Sequence, residues 1–232
     1  MSNPIYIAVI CEGKTEQIFV EKIIAPYLAS RNIYITAFQI TKPGQKGGDV
    51  KFTRLCNDLK NTFHQSHWKL ITTFFDFYGL KGEWPGYSNA LAQQTPHDKS
   101  TALVTEVQDK VETIFPNLHT RNHFLPYFAM HETEALYFSC PQTMADQLSA
   151  SQTEIESILT DCSEPEAINH QRETSPSHRI GTLIGKKFTK KTTTGIAIAE
   201  AIGLQKMRDH CPIFNNWITH MAETPHMGIN QS

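Results

Sequence analysis

The chain contains four runs of mostly apolar residues, and a helical pattern follows each of the first three. The runs are Ile5–Ile10, Asn32–Ile40, Lys69–Phe75 and His123–Met130, and the helical patterns are Glu16–Ala29, Asp49–Phe63 and Thr101–Phe115. Continuous apolar runs rich in β-branched residues are typical of strands that are buried on both faces of a sheet. Their alternation with amphipathic helices implies parallel crossovers. The pattern therefore predicts an α/β fold with an open, mainly parallel four-stranded sheet flanked by helices.

The pattern changes near Pro141, where amphipathic helices separated by Pro-, Ser- and Glu-rich joints replace the strands. We therefore predict an α/β domain over residues 1–140 and a helical C-terminal extension over residues 141–232. Within the first domain, the glycine- and proline-rich segment Tyr78–Lys99 predicts a long loop, in which Trp84 is better explained as an anchor than as a base-stacking residue. Thr15 and Asp49 are the expected N-caps of two helices.

Net charge and cysteine content limit the kinds of function and site that this chain can have. The net charge of −2 provides no general attraction to nucleic acid, so such binding requires a local basic patch or a partner. Five cysteines without a C-x-x-C pair argue against a zinc site or a disulfide scaffold. Because no apolar run approaches the roughly 20 residues that span a bilayer, and no cleavable leader is recognisable, we expect a cytoplasmic protein without a membrane partner. The sequence leaves the oligomeric state open, a homo-oligomer included.

The stretch Gly13-Lys14-Thr15 resembles the end of a phosphate-binding P-loop, but its surroundings argue against one. A P-loop needs a glycine five positions before Gly13, and that position is Ala8, inside the first apolar run. Glu12 would also direct a negative charge at the bound phosphate. The stretch therefore favours a cation over a phosphate.

Carboxylates follow three of the predicted strands. Glu12 follows the first, Asp76 the third, and Glu132 and Glu134 the fourth. In a parallel sheet these groups project from one edge, where open α/β sheets hold their ligands. Taken singly, each acid is better explained as a helix N-terminal residue. Together they repel one another, and the set favours a hard divalent cation, Mg²⁺ or Mn²⁺, held by a few carboxylates and partly hydrated.

The segment Gly185–Lys191 is the densest basic cluster in the chain, with lysines at positions 186, 187, 190 and 191. Lysines alone usually form a solvated face, but the predicted acidic edge makes contact with a phosphate the alternative. Both interpretations of the cluster stay open at this point.

Three motifs carry a resemblance to a known fold. Glu12–Glu16 after a strand, the apolar run into Asp76, and Glu132-x-Glu134 after the last strand resemble the Toprim domain of topoisomerases, primases and the overcoming-lysogenization-defect nucleases. The whole chain is similar to an uncharacterised bacterial family of that fold, a domain of unknown function. The C-terminal stretches that carry this similarity are Pro165–Asn169, Pro176–Ile180, Ile202–Leu204 and Arg208–Trp217.

The resemblance implies a Toprim-like fold and a metal-dependent site that cleaves phosphodiester bonds. By position, Glu12 matches the glutamate of the first motif, and Glu16 matches the second acid of the nuclease branch. Asp76 matches the first aspartate of the D-x-D motif, and Glu132 and Glu134 match the final acids. The second aspartate of D-x-D is replaced by Tyr78, which cannot act as a carboxylate ligand, so one acid of a full two-metal site is missing.

The leading hypothesis is therefore a Mg²⁺- or Mn²⁺-dependent nuclease acting on DNA or RNA. In it, Glu12, Asp76, Glu132 and Glu134 hold the metal, Glu16 assists, and Lys190 or Lys191 contacts the phosphate. The nuclease branch that the chain resembles works with an ABC-type ATPase in defence against phage or foreign DNA, so we expect a separate ATPase as partner. The alternative is a non-catalytic Toprim-like module that binds a partner or nucleic acid, and Tyr78 is the residue that favours it.

Overall fold

The computed structural model describes residues 3–42, 45–46, 50–168 and 171–224, which form two compact units. The first unit comprises the described residues within Met1–Phe75, Gly79–Phe128 and Trp217–Ser232, and the second comprises those within Asp76–Tyr78 and Ala129–Asn216. The boundary expected after residue 140 therefore lies inside the second unit. The chain returns to the first unit at Trp217.

A parallel sheet forms the centre of the first unit. The strands are β1 (Ile5–Cys11), β2 (Ile33–Gln39), β3 (Thr41–Lys42), β4 (Gln45–Lys46), β5 (Trp68–Asp76), β6 (Phe124–Leu125) and β7 (Phe128–Ala129). The main sheet has the order β2-β1-β5-β6 with parallel neighbours, β7 also pairs with β5, and β3 and β4 form a separate antiparallel pair. The predicted open, mainly parallel α/β sheet is thus confirmed, with five strands rather than four. Residues 7–11 of β1 are completely buried, as expected for a strand covered on both faces.

Helices pack around this sheet. They are α1 (Lys14–Phe19), a π-helical segment (Val20–Ile24), α2 (Ala25–Ala29), α3 (Phe52–Phe63), α4 (Tyr87–Ala92) and α5 (Pro96–Ile114). The N-cap of α1 is Gly13, not Thr15, and Asp49 lies outside the described residues. The segment Tyr78–Lys99 is not one long loop, because it contains α4 and the start of α5. Thr95 caps α5 by accepting the backbone N–H of Asp98 at 3.1 Å, directly before Pro96 in the first turn.

Two buried tryptophans, Trp84 and Trp217, pack in the core of the first unit. Trp84 is 2% exposed and its Nε1 donates to the carbonyl oxygen of Val50 at 3.0 Å, which confirms its role as an anchor. Trp217 stacks on Tyr127, with ring centres 4.1 Å apart and an angle of 4° between the rings. Its Nε1 donates to Oγ1 of Thr72 in β5 at 2.8 Å. A residue near the end of the described chain therefore completes the packing around a central strand.

The last apolar run forms two short strands instead of one. Pro126 separates β6 from β7. A proline has no backbone N–H to donate to a neighbouring strand, so continuous pairing through this position would lose a hydrogen bond.

The second unit is mainly helical. Its helices are α6 (Pro141–Leu148), α7 (Gln152–Cys162), α8 (Pro176–Leu183), a π-helical segment (Lys191–Gly195), α9 (Ile196–Ile202), α10 (Leu204–His210) and the start of α11 (Pro212–Glu223). A 3₁₀ segment, Thr133–Ser139, connects β7 to α6. None of the helices in the described parts of the chain is both long and apolar enough to cross a membrane.

The start of α11 depends on a buried carboxylate. Glu166 is 1% exposed, and its two oxygens accept the backbone N–H groups of Ile213 and Phe214, each at 2.8 Å. These N–H groups lie in the first turn of the helix, where no backbone acceptor is available. Burial raises the pKa of Glu166 to about 7, although both hydrogen bonds lower it.

This carboxylate should make the stability of the fold pH-dependent. The pKa of Glu166 is about 7 in the folded chain against 4.5 for an ordinary glutamate, so the folded state binds the proton more tightly. Its contribution is therefore greatest below pH 4.5 and is lost as the pH rises through about 7. The loss should amount to roughly 3 kcal/mol, at 1.36 kcal/mol per pKa unit. We expect the stability difference between the wild type and Glu166→Gln, measured by urea denaturation, to fall over this range.

The control is Glu154→Gln, which changes an exposed glutamate of the second unit. Its stability difference from the wild type should stay within about 0.5 kcal/mol, because the side chain is exposed. A difference for Glu166→Gln that does not change with pH would contradict the raised pKa.

Candidate active site

The predicted site residues are divided between the two units. Glu12 and Glu16 belong to the first unit, whereas Asp76, Glu132, Glu134, Lys190 and Lys191 belong to the second. Glu12 directly follows β1, and Asp76 is the last residue of β5. Both acids thus lie at the carboxyl end of a parallel strand, as predicted.

In the first unit, Glu12 extends the pairing of β1 with β5. Its backbone N–H donates to the carbonyl oxygen of Phe74 at 3.0 Å. Its carboxylate lies against Gly79, where a Cβ atom would be only 2.6 Å from Oε2. Any side chain at position 79 would therefore displace the Glu12 carboxylate.

Glu16 has a structural contact at the start of α1. It is 8% exposed, and its Oε2 accepts the backbone N–H of Gly13 at 3.0 Å. This is the glutamate half of a capping box. The expected catalytic role of Glu16 remains a prediction beside this capping contact.

In the second unit, Thr133 fixes the carboxylate of Asp76. The Oδ1 atom of Asp76 accepts both the backbone N–H and the hydroxyl of Thr133, each at 2.9 Å. Two donors from one residue define the orientation of this carboxylate. Thr133 was not among the predicted site residues, and its position between Glu132 and Glu134 was the only signal for it in the sequence.

Glu132 is held in a similar way by Ser177. Its Oε2 accepts the backbone N–H of Ser177 at 2.8 Å, and its Oε1 accepts the Ser177 hydroxyl at 3.0 Å. Ser177 lies in the first turn of α8. Glu132 therefore supplies acceptors to a helix N-terminus, where negative charge is stabilised by the helix dipole.

Lys191 pairs with Glu134. The Nζ atom of Lys191 lies 3.0 Å from Oε1 of Glu134, whose side chain is 1% exposed, while the Lys191 side chain is 34% exposed. The neighbouring Lys190 is exposed. The two predicted lysines therefore differ, because Lys191 contacts a predicted acid whereas Lys190 is exposed.

The pKa values of this pair reflect their surroundings. Burial raises the pKa of Glu134; the charge of Lys191 counteracts the rise without cancelling it, and the charge of Glu132 adds to it. Burial alone would lower the pKa of Lys191, but the charges of Glu134, Glu132 and Asp76 outweigh this effect and raise it. One ammonium group is therefore under the influence of three carboxylates.

Tyr78 and His131 connect the two segments that carry these acids. Their rings are stacked with centres 5.0 Å apart, and the Tyr78 backbone N–H donates to the His131 carbonyl oxygen at 3.4 Å. His131 is 2% exposed and has a φ of 72°, in the left-handed region that non-glycine residues rarely adopt. The hydroxyl of Tyr78 is buried without a hydrogen-bond partner in the described part of the chain. In the sequence, Tyr78 is recognisable only as a missing carboxylate, and nothing marks His131 as a site residue.

The donor groups of the second unit fit a magnesium-type ion better than zinc. Among the described residues, no group of three or more His, Cys, Asp and Glu side chains is arranged to hold a metal. Mg²⁺ does not require such a group, because it is usually bound by one or two carboxylates and completes its shell with water and substrate phosphate. The hydrogen bonds to Asp76 and Glu132 resemble the outer contacts that orient metal-binding carboxylates.

The comparisons with known proteins give one result. The family model described as "Domain of unknown function (DUF4276)" matches residues 11–222. The match includes every predicted site residue from Glu12 to Lys191. Comparison with curated proteins gave no match, and comparison with solved structures gave none.

The ion pair predicts unequal effects of two adjacent lysines. Lys191→Met should lower the free energy of unfolding by about 3 kcal/mol, because it leaves the Glu134 carboxylate buried without its counter-charge. This value is at the low end for buried pairs because Lys191 is partly exposed. Urea denaturation at pH 7.5 measures the effect.

Lys190→Met is the matched control, since it removes the same side chain from an adjacent exposed position. It should change stability by less than about 0.5 kcal/mol. Adding Glu134→Gln to Lys191→Met should restore part of the lost stability. Equal effects of the two lysine substitutions would contradict a stabilising pair.

Proposed function

We propose that this chain, which belongs to the family described as "Domain of unknown function (DUF4276)", is a metal-dependent nuclease that cleaves phosphodiester bonds in DNA or RNA. The observation that carries the proposal is that three carboxylates of the second unit act on one ammonium group. They are those of Asp76, Glu132 and Glu134, and the ammonium is that of Lys191. An added divalent cation would relieve this repulsion and would also attract phosphate.

Asp76 and Glu132 are the proposed metal-binding residues of the second unit. Each is held in place by two hydrogen bonds, which fix the direction in which its carboxylate faces a bound cation. A Mg²⁺ or Mn²⁺ ion bound there would polarise the phosphate and make water a better nucleophile. Glu12, in the first unit, remains a ligand predicted from sequence.

Lys191 is the proposed phosphate-binding residue. Its partly exposed ammonium can reach a phosphate oxygen from outside while Glu134 holds it from the buried side. Its raised pKa keeps it charged at neutral pH. A fixed positive charge stabilises the negative charge that develops on phosphate oxygens during cleavage.

A separate ABC-type ATPase is the proposed partner, and the cytoplasm is the proposed location. This part of the proposal rests on the resemblance of Glu12–Glu16, Asp76 and Glu132–Glu134 to the nuclease branch of Toprim proteins. The net charge of −2 supports it, because the chain has no general attraction to nucleic acid and benefits from a partner that loads the substrate. Defence against phage or foreign DNA is the proposed biological setting.

A non-catalytic binding module is the second candidate. It is favoured by the contacts of the acids themselves, because both oxygens of Glu132 already accept hydrogen bonds from Ser177 and Glu134 is paired with Lys191. In such a module these acids would only stabilise the fold. The two candidates differ in their response to metal.

Asp76→Asn should weaken Mn²⁺ binding at least about tenfold and abolish Mn²⁺-dependent cleavage, while the fold is retained. Calorimetric titration measures the affinity, and labelled DNA and RNA substrates report cleavage. Asp161→Asn, the same change at an exposed position of the second unit, should alter neither. Glu12→Gln, tested in parallel, shows whether the first unit contributes a ligand. Unchanged Mn²⁺ affinity in Asp76→Asn would remove this residue from the metal site and favour the binding module.

The partner should be detectable directly. Co-expression with an ATPase encoded beside this chain should give a complex on size-exclusion chromatography. ATP should then stimulate cleavage at least about tenfold, and a non-hydrolysable analogue should not. Strong cleavage by the isolated chain, without any neighbouring ATPase, would contradict the partner.

A further inference from the structure

A cavity of about 800 Å³ lies along one face of α8 in the second unit. The α8 side of the cavity consists of small or polar residues at helical spacing: Ser175, Ser177, His178, Gly181, Thr182 and Gly185. This spacing of three to four residues places them on one side of the helix. The cavity is therefore a trough that follows the helix axis rather than a hole at one end of it.

The charged residues of this trough are arranged by sign. Glu173 precedes the start of α8, where Glu132 is also held by Ser177. Lys186 and Lys187, both exposed, follow the end of the helix. They are brought back beside the helix because the Lys186 backbone N–H donates to the carbonyl oxygen of Gly181 at 3.0 Å.

Close packing against Gly181 fixes this lysine segment. A Cβ atom at position 181 would lie 3.1 Å from the Lys186 carbonyl oxygen and 3.7 Å from the Cα atom of Lys187. The two lysines are thus held on the trough by the backbone itself. One end of the trough is basic and the other is acidic. A bound polyanion would therefore place its phosphates at the lysine end.

We infer that this trough binds the phosphate backbone of a single nucleic-acid strand, with Lys186 and Lys187 on its phosphates. The inference rests on the proposed function, because Glu132 belongs both to the trough and to the proposed metal site. The trough thus leads a strand held by the lysines towards the carboxylates.

The dimensions favour one strand over a duplex. The eight residues of α8 span about 12 Å, at 1.5 Å per residue, which is room for a few nucleotides. A volume of about 800 Å³ is typical of sites for small ligands or short segments. Single-strand sites generally contain a positively charged groove that follows the backbone of one strand.

The test is fluorescence anisotropy of a labelled single-stranded oligonucleotide and of its duplex, over a series of salt concentrations. EDTA is present so that cleavage does not affect the measurement. We expect the single strand to bind more tightly than the duplex. Lys186→Gln/Lys187→Gln should reduce the slope of log affinity against log salt by about 0.7 for each lysine, or about 1.4 together.

Two further variants complete the design. Lys60→Gln/Lys206→Gln removes two exposed lysines outside the trough and should leave the slope unchanged. Thr182→Trp fills the trough without changing the charge and should weaken single-strand binding at least about tenfold. Thr182 is exposed, so the larger side chain should not prevent folding.

Three outcomes would overturn the inference: no measurable binding of the single strand, equal binding of the duplex, or the same slope in both lysine double variants. Asp76→Asn distinguishes failure of the trough from failure of the proposed nuclease. If the trough variants lose binding while neither wild type nor Asp76→Asn cleaves, the trough stands and the nuclease fails. If cleavage is lost in Asp76→Asn but the trough variants bind normally, the nuclease stands and the trough fails.

Discussion

The buried carboxylate of Glu134 constrains the whole candidate site. A charge with almost no exposure must be paired or must lose its ionisation, and Lys191 provides the pair. The pairing connects the segment after β7 to the π-helical segment that begins at Lys191. Thr133, next to Glu134, then holds Asp76, and Glu132, one residue earlier, holds the start of α8. A segment of only three residues, Glu132–Glu134, thus sets the geometry of three acids, and a change in any of these residues will disturb the others.

The sequence predicts the sheet and the acidic strand ends well because both depend on local patterns. An unbroken apolar run defines β1, and Glu12 follows it directly. The partners of the acids were not predictable, because Ser177 is 45 residues from Glu132 and nothing local indicates their contact. For the same reason, nothing local in the sequence indicates that the chain returns to the first unit at Trp217. Trp217 resembles an ordinary apolar residue of a late helix, yet it packs in the first unit on Tyr127.

Tyr78 shows how a substituted motif position acquires a packing role. An aspartate there would add a further negative charge to the second unit, in which three carboxylates already act on the ammonium of Lys191. The tyrosine instead stacks on His131, whose backbone is held in an unfavourable conformation immediately before Glu132. Backbone strain of this kind costs roughly 1–3 kcal/mol and persists only where the surroundings enforce it. The stacked pair is one of the contacts around this strained turn.

The position of Trp217 has a consequence for biosynthesis. Its hydrogen bond to Thr72 joins residues 145 positions apart, so the core of the first unit lacks a central aromatic ring until Trp217 has left the ribosome. Domains usually fold as units from the N-terminus during synthesis. Here the central strand must wait for a helix that is translated much later, with part of its apolar surface uncovered. We therefore expect nascent chains of this protein to depend on chaperones until Trp217 is available.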